Sequence, residues 1–203
     1  MSDNDSASAG PLSPTGDPVP YDEDLVDALQ PLFVGISGLP GAMFRPRWQP
    51  DDVPNLPEAH DDWAALGVSR TRTDTFAYVA HVASGAGYDY LQRSEEIDLL
   101  LSFYGPRARA NAERTRDGLS VAQNLAPLAA MNVGLVGVGD SVPLPALLHG
   151  KWQRRVDLTV TLRRCVERRY GVLTVVGLPD GGAGPRMGID NELYLTPIVV
   201  GNP

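Results

Sequence analysis

Along the last third of the chain, Val156, Leu158, Val160 and Leu162 alternate with Asp157, Thr159, Thr161 and Arg163. A period of two puts one set of side chains on a buried face, so Trp152–Val166 is expected to be a long strand. A turn near Arg169–Gly171 and the apolar VLTVVG that follows would complete a hairpin. Earlier, Phe76, Tyr78, Ala80 and Val82 share one face of a strand expected over Thr73–Ser84. GAGYD turns the chain, and Tyr90–Tyr104 runs back, ending in the apolar IDLLLSFY. Gly134–Val142 reads as a short strand interrupted by glycine.

A different period appears near the start. Leu25, Leu29, Phe33 and Ile36 recur at spacings of four and three, with acidic residues in the first turn where the helix dipole favours them. A helix from Asp22 follows, with Pro31 expected to kink or interrupt it and Gly35, Gly38 and Gly41 to close it. Gly105-Pro106 stops the strand before it and opens a second helix. Ala108, Ala112, Thr115, Leu119 and Ala122 fall on one small, apolar stripe, which lets the helix approach a sheet closely. Residues 125–131 add a helical turn. Two helices and strands joined mostly by short turns indicate an α+β fold, with a mainly antiparallel sheet and the helices on one face.

The remaining segments lack periodicity. Residues 1–20, rich in Ser, Asp, Gly and Pro, are expected to be a flexible, disordered arm. Phe44–Trp63 carries four prolines between its ends, which forbid regular ladders and suggest a functional loop or partner-binding arm. The folded domain is expected over 21–177, followed by a linker and C-terminal extension over 178–203. That extension carries Leu193, Tyr194, Leu195, Ile198 and Val199, a β-prone set that needs a surface to bury against. A neighbour's sheet edge and the chain's own domain both remain open as that surface.

Charge narrows the classes of function. The 203 residues include 17 Lys and Arg against 25 Asp and Glu, a net charge of -8, which argues against coating nucleic acid. Yet Arg154, Arg155, Arg163 and Arg164 bracket the long strand. They fit a catalytic strand, a nucleic-acid contact or a strand whose ends meet other subunits. The single Cys165 rules out an intrachain disulfide framework. No secretory signal is visible, and the longest apolar run, Leu32–Phe44, is broken by Gly and Pro, so a protein made in the cytoplasm and not spanning a membrane is expected.

Candidate chemistry is sparse. Ser141 in GVGDSVP lacks the second glycine of a nucleophile elbow. His60, His81 and His149 are far apart in sequence. Glu96 and Asp98 share one strand face and Glu95 takes the other, so the three do not form a cation cage. DGGAGPRMG has no Lys-Ser/Thr after it, as a phosphate loop requires. No catalytic, cofactor-binding or metal site is expected, although a small acidic hydrolase using Asp98 or Asp140 is kept as a rival, as is a monomeric binding module.

Two blocks carry a resemblance: SFYGPRARANAERTRDGLSVAQN, Ser102–Asn124, and KWQRRVDLTVTLRRCVERRYGVL, Lys151–Leu173. With RPRWQP, NLP and DWAALGV, this ordered set resembles the neck or tail terminator proteins of tailed bacteriophages, over roughly residues 30–177. The resemblance implies a structural virion protein, made in the bacterial host, without enzyme activity or cofactor. It implies a ring, usually of six subunits, that ends the tail tube and joins it to the head connector, with DNA passing through the lumen without sequence-specific binding. The partners implied are sister copies, the tail tube protein and the connector or adaptor, with the sheath protein a further candidate. A head-completion or connector ring on the other side of the same joint is the alternative. On this reading the charged residues Arg107, Arg114, Arg116, Asp117, Arg154, Arg155, Arg163 and Arg164, with Trp152, are expected at subunit contacts. Leu193, Tyr194, Leu195, Ile198 and Val199, outside the stretch that carries the resemblance, are the candidate partner-binding tail. Charge reversal at Arg155 or Arg164 is expected to impair ring assembly and leave monomer folding nearly intact.

Overall fold

The computed structural model describes residues 6–7, 10–48, 56–148 and 150–174. Its centre is two long antiparallel strands, β5 (Tyr88–Tyr104) and β9 (Arg155–Tyr170), paired from Asp89↔Tyr170 to Tyr104↔Arg155. Alternation does what the sequence implies. Ile97, Leu99, Leu101 and Phe103 of β5 meet Leu162, Val160, Leu158 and Val156 of β9 on one buried face. Each such side chain, once buried, contributes about 1.5–3 kcal/mol. β3 (Trp63–Thr73) adds to the far edge of β5 and sends Ala64 and Leu66 to the same face. β2 (Phe44–Pro46) runs parallel to β3, and β6 (Val133–Pro143) pairs antiparallel with β9. β4 (Tyr78–Val82) and β1 (Pro14–Thr15) extend the sheet at the turn end of β5 and β9. A separate two-stranded hairpin joins β7 (Ala146–Leu148) to β8 (Lys151–Gln153).

Three helices cover the apolar face: α1 (Asp22–Ser37), α2 (Ala108–Gly118) and α3 (Ala126–Ala130). α1 buries Leu25, Val26, Leu29, Leu32 and Phe33. It passes through Pro31 and Gly35 and stops at Gly38, whose φ of 70° gives the left-handed cap and lets its N–H reach the Val34 carbonyl. α2 buries Ala108, Ala112, Thr115 and then Leu119, the small stripe that the sequence marks. It starts two residues after Pro106, and Ala122 is exposed because the helix has ended by then. The architecture is therefore α+β, a mainly antiparallel sheet with helices on one face.

The main departures concern the strands. The long partner of β5 is Trp63–Thr73, a stretch the sequence leaves partly in a loop, while the expected Thr73–Ser84 strand shrinks to Tyr78–Val82. Phe76 lies outside any strand and is 86% exposed. The expected Trp152–Val166 strand is broken at Arg154, so Trp152 belongs to the small hairpin, not the main sheet. Gly171–Thr174 form no strand. The rest of VLTVVG and the extension 178–203 lie outside the described residues. Within the segment expected to be a free arm, β1 is docked on the end of β9, and the Ser6 N–H donates to the Gly171 carbonyl at 2.9 Å.

Candidate functional site

The expected interface residues fall at three places. At the end of the sheet where β5 gives way to α2, Arg107 flanks the helix. The Asp62 carboxylate accepts its backbone N–H at 2.7 Å and its Nε at 2.6 Å. The backbone N–H of Gly105 donates to the Arg154 carbonyl at 3.1 Å, and the exposed Arg154 side chain extends toward the Pro106 carbonyl. Arg155 grips Asp157 with two bonds, Nε to Oδ1 at 2.7 Å and Nη2 to Oδ2 at 2.6 Å. Its guanidinium lies 5.8 Å from the Tyr104 ring centre, and Tyr104 stacks on Trp63 at 4.0 Å.

A second group lies on α2. Arg114 donates to the Ser37 carbonyl at 3.1 Å, tying α2 to the end of α1. Arg116 stands 3.7 Å from Asp140, an exposed pair worth little. Asp117 is exposed.

The third place is far along β9. Arg155 and Arg163 are eight strand positions apart, about 26 Å. Arg163 is exposed on the polar face, between Glu96 and Gly134. Arg164 points the other way. It sits under α1, opposite Glu95, and donates Nε and Nη2 to Glu95 Oε2 at 3.1 and 3.0 Å. The two side chains are 6% and 1% exposed. Arg164 Nη1 also reaches the Pro20 carbonyl at 2.7 Å, and its guanidinium lies 4.6 Å from the Tyr21 ring centre. The Tyr21 hydroxyl donates to Glu95 Oε1 at 2.9 Å and accepts from Arg168. Arg93 adds a bond to Glu95 Oε1 at 2.8 Å. Burial alone would raise the Glu95 carboxyl, but hydrogen bonds from Arg93, Tyr21 and Arg164 outweigh it and hold the group below the usual carboxylate range.

This corrects one expectation. Arg164 is committed inside its own chain, so reversing its charge would set two carboxylates together in the interior and break the fold. Arg155 is likewise engaged with Asp157, at a position that is partly buried. Reversing Arg155 would set a second carboxylate beside Asp157, so neither charge reversal is expected to separate assembly from folding.

Exposed apolar side chains lie in the segment that leads to Arg154 and Arg155, and charge alone does not single them out. Val142 and Leu144 leave the end of β6, and Leu147 pairs with Trp152 across the β7–β8 hairpin. All four are exposed, Trp152 to 74%. Ala146, on the same hairpin, packs on the Trp63–Tyr104 pair. The sequence carries a clue: five large apolar residues, Val142, Leu144, Leu147, Leu148 and Trp152, fall within eleven positions, and Pro145 follows the last rung of β6 at Pro143.

The carboxylates of the hydrolase rival do not converge. Asp98 lies on the polar face of β5, where it accepts from Arg72 and Thr161, whereas Asp140 is 93% exposed on β6. His81 bonds to Asp89 and Thr174, His60 lies in a separate loop, and His149 is outside the described residues. Among the described residues no group of three His, Cys, Asp or Glu side chains is placed to hold a metal, and no helix is long and apolar enough to cross a membrane.

What the arrangement offers is surface: an exposed apolar hairpin, a rim of arginine, and docked extensions. No curated protein matches the chain. The family model for the phage neck terminator protein matches residues 23–183, which takes in α1, the whole of the main sheet beyond β1, and the helices that cover it. The chain belongs to the phage neck terminator protein family, structural proteins of the virion neck.

Proposed function

We propose that this chain forms a closed ring, of six copies, at the head-proximal end of the tail tube, where it stops tube growth and presents a face to the head connector. The match of residues 23–183 to the neck terminator family carries this reading. The exposed Val142, Leu144, Leu147 and Trp152 support it, because large apolar side chains left in solvent, two of them paired across the β7–β8 hairpin, suit the centre of an interface. A closed ring needs one side of a subunit to meet a different side of the next. Trp152, Arg107 and Arg154 supply one such side; Arg114, Arg116, Asp117 and Arg163 lie elsewhere and contact other surfaces of the ring or its partners. A charge of -8 per copy gives the assembly an acidic field through which DNA slides without adhering.

Mass photometry and negative-stain imaging of the purified chain, alone and mixed with tail tubes, test the proposal. The expected result is a hexamer-sized ring, free or capping one end of each tube. Tubes that stay uncapped, with the chain monomeric throughout, would overturn it. Rings found only on the head-side connector would move the protein across the joint.

A further inference from the structure

β9 is paired with β5 along its whole length, but the opposite edge of β9 has a break. β6 pairs with it only as far as Val133↔Arg164, and β1 resumes at Thr15↔Arg169. Cys165, Val166, Glu167 and Arg168 therefore have no strand partner on that side among the described residues. Their backbone groups alternate between the two edges, so part of this row is left as a template for another strand.

The break has a cause in the sequence. The arm that forms β1 runs antiparallel to β9, and continued in line it would set Pro18 opposite Val166 and Pro20 opposite Arg164. Proline has no N–H to give to a ladder. The arm instead swings off at Gly16, where φ is 98°, and forms a wall. Between that wall and the start of β6 lies an open groove of about 700 Å³. Leu25, Ala28, Met131 and Val133 line its helix side, and Cys165 and Glu167 lie along its floor.

Residues 175–203 follow the last described residue. Within them the run Leu193-Tyr194-Leu195-Thr196 is four residues long and ends at Pro197, which would stop a ladder there. The length matches the four unpaired residues of β9. Its alternation matches too: Leu193 and Leu195 share one face, suited to the apolar side, and Tyr194 and Thr196 share the other. The 18 residues 175–192 are long enough to bring Leu193 to the chain's own groove or to a neighbour's, and the ring reading selects the neighbour. Thr174 donates its N–H to the Ala86 carbonyl and sits 3.1 Å from His81, on the β4 side of the sheet, with β5 and β9 between it and the groove.

We propose that the gap in β9 receives Leu193–Thr196 of a neighbouring copy as an added strand, so that each subunit is held by the tail of the next. This rests on the ring reading and names the acceptor for the tail.

Cys165 is exposed and is the chain's one cysteine, so it reports on the groove without further engineering. Directly opposed residues on one sheet face have Cβ atoms about 4.5–5.5 Å apart, near enough for a disulfide after small adjustment. In the full-length chain, Leu193→Cys, Tyr194→Cys, Leu195→Cys and Thr196→Cys are made singly, oxidised with copper phenanthroline and run on non-reducing gels. Tyr194→Cys or Thr196→Cys is expected to give a ladder of covalent oligomers that Cys165→Ser abolishes, while Leu193→Cys and Leu195→Cys stay at background. Equal cross-linking at all four positions, none at any, or a loop closed within one chain would overturn the proposal. Mass photometry of the same samples separates the two readings. Rings without cross-links leave the ring standing and remove the strand; ladders without rings do the reverse.

Discussion

Glu95 and Arg164 lie directly opposite each other on β5 and β9, on the apolar face, one step beyond the Ile97–Leu162 pair. An ion pair thus takes the next place in a row of aliphatic pairs, beneath Tyr21 and the entry to α1. Removing one partner leaves the other charged and buried. Glu95→Ala or Arg164→Ala should therefore cost about 3–5 kcal/mol, and the pair change Glu95→Leu with Arg164→Met much less. Urea unfolding of the three variants checks this, and single losses under about 1 kcal/mol would contradict the buried geometry.

The same carboxyl sets an acid limit. Glu95 is depressed in the folded state, so its contribution is full above the unfolded carboxylate value of about 4.3 and is lost as pH falls through the lower folded value. The urea midpoint should be flat from pH 7 to about pH 5 and then fall. Glu95→Gln should start lower and fall less steeply, keeping only the slope due to other depressed carboxylates such as Glu167, which Tyr90 and Gln92 hold down on the polar face.

Gly105 joins β5 to the turn before α2 with φ of 101°, and a Cβ there would meet the Asp61 carbonyl oxygen and, at 2.8 Å, the Asp62 carboxylate. Gly105→Ala should lose at least about 1 kcal/mol from backbone strain alone, with more from the displaced Asp62–Arg107 bond. Thermal melts of Gly105→Ala and, for comparison, of Gly41→Ala, where a Cβ meets open space, read the difference.

Trp152 separates assembly from folding. Because it is largely exposed, Trp152→Ala should change stability by no more than about 0.5 kcal/mol. If the β7–β8 patch is a subunit contact, the same variant shifts mass-photometry counts from ring to monomer, and Leu147→Ala does so to a smaller degree. Wild-type ring counts in both would remove the patch from the interface.

Much of this fold could be read from the chain because its two central strands alternate cleanly and its helices carry apolar stripes. Trp63–Thr73 was harder. Ala64, Ala65 and Gly67 are poor strand formers, and apolar residues fall on both faces from Trp63 to Val68, so no period of two stands out. They suit the site because Arg47 lies across the sheet there to reach Ser102 at 2.8 Å, and a side chain at Gly67 would strike it. The role of Arg164 was hidden for another reason. Its partner is 69 residues away, and a charge that ends an apolar alternation looks the same in sequence whether it faces water or a buried carboxylate. The exposure of Leu147 and Trp152 is hidden in sequence because a leucine or tryptophan in a short strand looks the same whether it faces the core or solvent.

The buried pair also bears on how β5 and β9 find their alignment. Alternation alone forbids a slip by one residue, since that would turn the greasy side chains outward. A slip by two leaves every aliphatic residue on the correct side and would be nearly invisible to hydrophobicity. It would, however, set Glu95 against Leu162 or Val166, and Arg164 against Ile97 or Arg93, splitting the pair and leaving Arg164 without its carboxylate in the dry interior. One polar rung among apolar ones thereby selects a single alignment from a set that oily contacts cannot tell apart.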